Sequence, residues 1–113
     1  MRNYVVYVLR LEGGNYYVGL TLGLPAKRIG QHGGRHGAAW TKLHPPLALV
    51  ETIDCGTSDE HRATQKENLV TWKYMLLYGW QHVRGGYFTQ CDEVQTRKNL
   101  EAHGFFEATL RRG

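Results

Sequence analysis

Three groups of side chains in this sequence have types and spacings that could do chemistry. The first is Glu67. In a stretch that reads as a long helix, Ala63, Glu67, Val70, Tyr74, Leu77 and Tyr78 fall on one face by the 3.6-residue period, which sets a carboxylate in an apolar stripe. A lone buried carboxylate is costly, so such a group pairs with a cation, takes a proton or binds a metal. A salt bridge to a core Arg or Lys would meet that need as well as a metal would. The second group is Arg28 and His32, four residues apart and so on one side of a helix. Arg offers a planar fork of donors suited to phosphate, and His moves protons near neutral pH. The third is Tyr7 and Tyr17, on two strands of one hairpin, where cross-strand pairing could bring their hydroxyls near each other. Two core tyrosines with hydroxyls at the rim would have the same pattern.

The elements that must position these groups are readable. Tyr4 to Leu11 is β-branched and aromatic almost throughout, Glu12-Gly13-Gly14-Asn15 has turn chemistry, and Tyr16 to Thr21 is again β-rich. Neither strand alternates cleanly, so the sheet is expected to be covered on both faces. Pro25 suits the first turn of a short helix over Ala26 to His32, stopped by Gly33-Gly34. The following GRHGAAWTKLHPP reads as loop, and Leu47 to Asp54 as a third strand. Thr57 with Glu60 has the form of a capping box, which predicts a helix from about Ser58 to Tyr78, ended by Gly79. Asp92 with Gln95 opens another, reaching His103, and Phe105 and Phe106 could dock the tail. The expected fold is α+β, a small three-stranded and mainly antiparallel sheet flanked by helices in the order β-β-α-β-α-α. One domain is expected over residues 1–113, with a core of about 4–90 and a helical extension over 92–113.

A chain of 113 residues buries roughly two-thirds of its unfolded surface, enough for a core without disulfide staples. Cys55 and Cys91 belong to no CxxC or Cys/His cluster, which argues against zinc, fits a reducing compartment and reads as two buried thiols. The opening MRNYVVYVLRLEGGN has an apolar run too short for a signal peptide or a membrane span, so a cytoplasmic protein with no membrane partner is expected. The net charge of +4 is a mild basic excess, but its distribution says more. No Asp or Glu occurs from Gly13 to Val50, where Lys27, Arg28, Arg35, Lys42, His32, His36 and His44 all lie. A solvated basic face or a phosphate-contacting one would look like this, and the glycine-rich segment within it favours phosphate.

Val5-Val6-Tyr7, then Tyr17-Val18-Gly19 ten residues later, then Arg28, His32 and the helical Glu67 together resemble the GIY-YIG nuclease superfamily. The likeness spans Tyr4 to Tyr78. Val5-Val6 stands for Gly-Ile and Val18 for Ile, while both tyrosines and Gly19 are kept. RIGQHGGRHGAAWT is similar to the stretch after the catalytic Arg of small stand-alone members, and YGWQHVRGGYF to a segment of phage and viral relatives.

The resemblance implies a divalent-metal-dependent endonuclease acting on DNA, whether single-stranded, branched or duplex, with a structure- or strand-selective activity the softer expectation. Glu67 would hold one Mg²⁺, with Mn²⁺ an acceptable substitute. Arg28 would bind the scissile phosphate, and Tyr7 would be the general base, with His32 its rival. Tyr17 would position phosphate or nucleophile, and Gly19 would allow close backbone approach. Lys27, Arg35, Trp40, Lys42, His44 and Arg84 would form the substrate surface, cations on the backbone and aromatics on bases, although Trp40 could equally be packing. A monomer is favoured. An RNA-cleaving nuclease, a non-catalytic nucleic-acid-binding module on the same fold, and a small interaction domain with an internal Arg28–Glu67 salt bridge are the competing readings.

Overall fold

Two β-rich runs separated by a glycine turn form the hairpin at the centre of the molecule. The computed structural model describes residues 2–23, 39–86, 88 and 92–105. Strand β1 (Tyr4–Leu11) and strand β2 (Asn15–Leu22) are joined by a single 3₁₀ turn, Glu12–Gly14, and pair antiparallel from Tyr4 opposite Leu22 to Leu11 opposite Asn15. On its other side β1 pairs antiparallel with β3 (Pro46–Asp54), with register shifts between Val8 and Leu9 and between Arg10 and Leu11. The fourth strand is β4 (Val83–Gly85), which runs parallel to β2 from Tyr16 to Val18. The sheet order is β3-β1-β2-β4. The expected three-stranded, mainly antiparallel sheet is therefore corrected to a four-stranded mixed one. A three-residue strand containing one glycine gives almost no periodic signal, and its partner lies far away in sequence.

A five-residue helix, α1 (Ala39–Leu43), occupies what reads as loop in the sequence. It ends at Leu43, one residue short of Pro45 and Pro46, which cannot continue a helix. Helix α2 (Glu60–Tyr78) is capped by Asp59, whose side chain accepts from the His61 N–H at 3.0 Å, and not by Thr57. Thr57 instead takes the Asp59 N–H on its Oγ1 at 3.0 Å, while its carbonyl accepts from the Tyr4 N–H at 2.9 Å. That bond pins the helix start to the start of β1. Helix α3 (Glu93–Ala102) begins as the sequence predicts, with Asp92 accepting from the N–H groups of Val94 and Gln95. The short helix expected over Ala26 to His32, and the tail beyond Phe105, lie outside the described residues.

Both faces of the β1–β2 hairpin are covered, as the lack of alternation predicts, but β3 is not: it has no buried residue, and Leu47, Leu49 and Val50 are exposed. On one face Val6, Val8 and Val18 pack with Val70, Tyr74 and Met75 of α2, with Val83 and Phe88, and with Leu100 and Phe105. On the other, Tyr7, Leu9, Leu11, Tyr17 and Trp40 form a second cluster. Each buried Val, Leu or Phe in these clusters is worth about 1.5–3 kcal/mol, so the second is a real share of the core. The apolar stripe of α2 is corrected at its end: Thr71 and Met75 are buried, whereas Leu77 and Tyr78 are exposed, the Tyr78 ring stacking on Tyr16 of β2 at 4.3 Å. Cys55, expected to be buried, is only half-buried, and Cys91 lies outside the described residues.

Candidate functional site

Strand alternation decides which hairpin residues meet. Tyr7, Leu9 and Leu11 point to the same face as Asn15, Tyr17 and Gly19, since directly opposed residues of an antiparallel pair share a face. Tyr7 stands opposite Gly19, and its ring lies across that glycine: a Cβ on residue 19 would overlap Cζ and Oη of Tyr7. Glycine is needed there for space. The Tyr7 and Tyr17 rings are 6.4 Å apart between centroids at 49°. Tyr7 is fully buried and Tyr17 is 8% exposed.

Glu67 comes from the opposite side of the sheet. It shares a helix face with Thr71, whose Oγ1 donates to the Glu67 carbonyl at 2.8 Å and would lie 2.9 Å from a Cβ on Gly85. Its neighbour Asn68 abuts Gly86, where φ is +54° and a Cβ would overlap the Asn68 carboxamide oxygen. Glu67 is half-buried. It is close enough to Cys55 for its charge to contribute to that thiol's environment. Burial pushes the Cys55 thiol up, with the charges of Asp54 and Glu67 adding to the rise and a hydrogen bond to the Val6 backbone and Lys66 opposing it. Among the described residues β4 pairs β2 only as far as Val18, and Gly19, the next residue of β2, is buried. The Tyr7 ring reaches across Gly19 on one face of the sheet, and the helix that carries Glu67 packs on the other.

Trp40, His44 and Arg84 are brought together at the hairpin end. Arg84, expected on the surface, is fully buried: its Nη1 donates to the carbonyls of Trp80 at 2.7 Å and Val83 at 2.9 Å, and its guanidinium stacks 4.4 Å from the centre of the Trp40 ring. Trp40 is buried as well, its Nε1 donating to the Tyr16 carbonyl at 3.0 Å and its ring meeting His44 edge-on at 4.4 Å. With Gly13, Asn15, Gln81, His82 and the acidic Glu93 these three line a pocket of about 290 Å³. Lys42 is exposed on α1. Lys27, Arg28, His32 and Arg35 lie outside the described residues.

Asn15 and His82 were not singled out from the sequence. Asn15 is buried, its Nδ2 donates to the Glu12 carbonyl at 2.9 Å, and its Oδ1 lies 3.2 Å from Nδ1 of His82. One signal could have found it: Asn15 is two residues before Tyr17 and four before Gly19, on the same face of β2. His82 follows the end of α2 and carries no such pattern.

Among the described residues no three His, Cys, Asp or Glu side chains could together hold a metal ion. A half-buried Glu67 would offer a hard divalent cation one carboxylate, the oxygen donor such an ion prefers. No helix among the described residues is long and apolar enough to cross a membrane.

No characterised protein and no solved structure gives a significant match to the chain. A family model does: the GIY-YIG catalytic domain matches residues 3–75, more than half of the chain. A match that begins before β1, crosses three of the four strands and ends in the last turn of α2 covers the framework around Tyr7, Tyr17 and Glu67, and the chain belongs to the GIY-YIG nuclease superfamily.

Proposed function

We propose that the protein is a divalent-metal-dependent endonuclease that hydrolyses DNA phosphodiester bonds, with structure- or strand-selective action. The family match supports the reading, and the observation that carries it to this chain is the fit of the Tyr7 ring over Gly19, a side chain and a gap that need each other on β1 and β2.

Glu67 would hold one Mg²⁺, or Mn²⁺ in its place, and what the ion supplies when bound is neutralisation of charge at a phosphate oxygen. Arg28 clamps the scissile phosphate and stabilises its added charge. Tyr7, as the phenolate that Arg28 and the ion would favour, takes the proton of the attacking water, with His32 as the rival base, and Tyr17 orients the phosphate. Gly19 makes the room that the Tyr7 ring and hydroxyl occupy at the site. Lys27, Arg35 and Lys42 contact the strand's phosphates, beside His44. Buried Trp40 and Arg84 serve this surface from beneath, holding the end of α1 and β4 together.

The test incubates purified protein with labelled single-stranded, duplex and branched DNA and with RNA, in Mg²⁺ or chelator, beside Glu67→Ala. Metal-dependent cutting of DNA that Glu67→Ala abolishes is expected. Cutting that persists in chelator or in the variant overturns the metal mechanism, preferential cutting of RNA reassigns the substrate, and tight binding without cleavage makes the chain a binding module.

A further inference from the structure

The flank of α2 turned away from the sheet carries a feature that the site above does not use. Ala63, Val70, Thr71 and Tyr74 are buried on the sheet side of the helix. Around the axis from them, Gln65, Asn68, Leu69 and Trp72 join Phe88 and His103 to line a pocket of about 390 Å³. Aromatic rings hold one another in its wall. Trp72 meets Phe105 edge-on at 5.3 Å and Phe88 at 6.5 Å, and His103 meets Phe88 edge-on at 5.2 Å. The His103 Nδ1 lies 2.8 Å from the Asn99 carbonyl, which assigns the ring proton to Nδ1 and turns Nε2 the other way. The lining thus combines apolar ring surface with two carboxamides and an imidazole nitrogen. Those complement the two parts of an unstacked nucleobase, its π-face and its hydrogen-bonding edge.

A row of charge runs beside the pocket. Arg62, Lys66, Leu69 and Lys73 recur at helical spacing on one side of α2, and all four are exposed. Arg62 is 3.8 Å from Asp59 and shares its charge with it. Lys66 and Lys73 are two turns apart, roughly 10 Å along the axis, with Leu69 between them at the rim of the pocket. Cations in a row track a polyanionic backbone, and an aromatic pocket beside the row can take a base from it. A duplex keeps its bases stacked inside and could use only the cations.

We propose that this flank of α2 binds single-stranded nucleic acid, with Lys66 and Lys73 on backbone phosphates and one unstacked base in the pocket between Trp72, Phe88 and the carboxamides of Gln65 and Asn68. The proposal rests on the nuclease reading for the class of ligand. It adds an anchoring site about one helix diameter, roughly 10 Å, from the side of α2 that carries Glu67.

The experiment measures fluorescence anisotropy of a labelled oligothymidylate of about a dozen nucleotides, a length within the usual range for such sites, with the full chain in chelator across a salt series. Lys66→Glu combined with Lys73→Glu is expected to weaken binding at least tenfold and to flatten the salt dependence by roughly 1.4 in slope, two phosphates at about 0.7 each. Leu69→Ser and His103→Ala, both at exposed positions, should weaken binding with the slope kept. An abasic sugar at the favoured position should cost roughly fivefold to a hundredfold. Wild-type affinity and slope in the double variant, or equal binding of abasic and intact strands at every position, overturns the proposal. So does occupancy of the flank by a second copy of the chain, read as dimerisation that Leu69→Ser abolishes. Cleavage of duplex or branched DNA is followed in parallel with Mg²⁺. Cutting by wild type while the variants bind single strands normally sinks this site alone, and absence of both binding and cutting sinks the nuclease reading with it.

Discussion

The ring of Tyr7 fills the space that a side chain on Gly19 would need, a Cβ there coming within 2.7 Å of Cε1 and overlapping the atoms beyond it. Because the two residues are direct cross-strand partners, neither strand can shift to relieve the clash without losing register. Gly19→Ala is expected to cost about 1–3 kcal/mol, the usual penalty of overpacking, seen as a lower urea midpoint at unchanged m. DNA cleavage should fall by more than the unfolded fraction accounts for. Wild-type stability and rate in this variant would mean that the ring is not held over residue 19.

Deleting the hydroxyls separates the two tyrosines. Tyr7→Phe keeps the ring that covers Gly19 and should lower kcat by about a hundredfold or more, the range for loss of a general base. Tyr17→Phe should act less on kcat and more on KM, as expected of a residue that positions substrate. Single-turnover rates on one DNA substrate check this, and the opposite ordering would hand Tyr7's role to Tyr17.

Arg84 is a structural cation by its contacts, with Nη1 on two backbone carbonyls and the guanidinium over Trp40. Arg84→Met is expected to destabilise the fold by about 2–4 kcal/mol through two buried carbonyls losing their donor and a lost ring contact. Its effect on DNA affinity should leave the salt slope intact. A decrease of about 0.9 in that slope on duplex DNA would show Arg84 on a phosphate instead.

Alkaline unfolding should report the contact between α2 and β3. The Tyr74 hydroxyl donates to the Glu51 carboxylate, and its pKa is pushed well above the ordinary value, first by burial and then by that hydrogen bond and the Glu51 charge. A pKa raised by folding means that above about pH 10 the unfolded chain loses a proton the folded one keeps. The contribution is therefore complete below pH 10 and is lost as pH climbs toward the folded pKa. Tyr74→Phe should cost about 1–2 kcal/mol at pH 7 and make the decline of stability above pH 10 shallower, measured by urea unfolding at a series of pH values. Parallel curves for both proteins would contradict the assignment.

What the sequence made legible follows from local signals. The hairpin, β3, α2 and α3 each have a period or a turn, and the paired tyrosines with Gly19 follow from strand register alone. β4 was hidden because it is too short to show a period, and both it and α1 are held by distant partners, β4 by Tyr16 to Val18 and α1 by the ring of Trp40 under Arg84. Thr57 misled as a cap because its hydroxyl and carbonyl serve a turn and β1 instead. Arg84 misled because composition counts an arginine as surface, and only the tertiary fold brings it two backbone carbonyls and a ring.

The order β3-β1-β2-β4 places Tyr7 on an interior strand, with Gly19 on one side and Thr52 on the other, and Tyr17 between Leu9 and Arg84. Their backbone amides belong to the part of the ladder that opens only when the whole sheet opens, so they should rank among the slowest to exchange with deuterium. Heating should then leave no long-lived form that has lost these tyrosines' arrangement but kept its sheet, and the loss of catalytic geometry should track the cooperative melt.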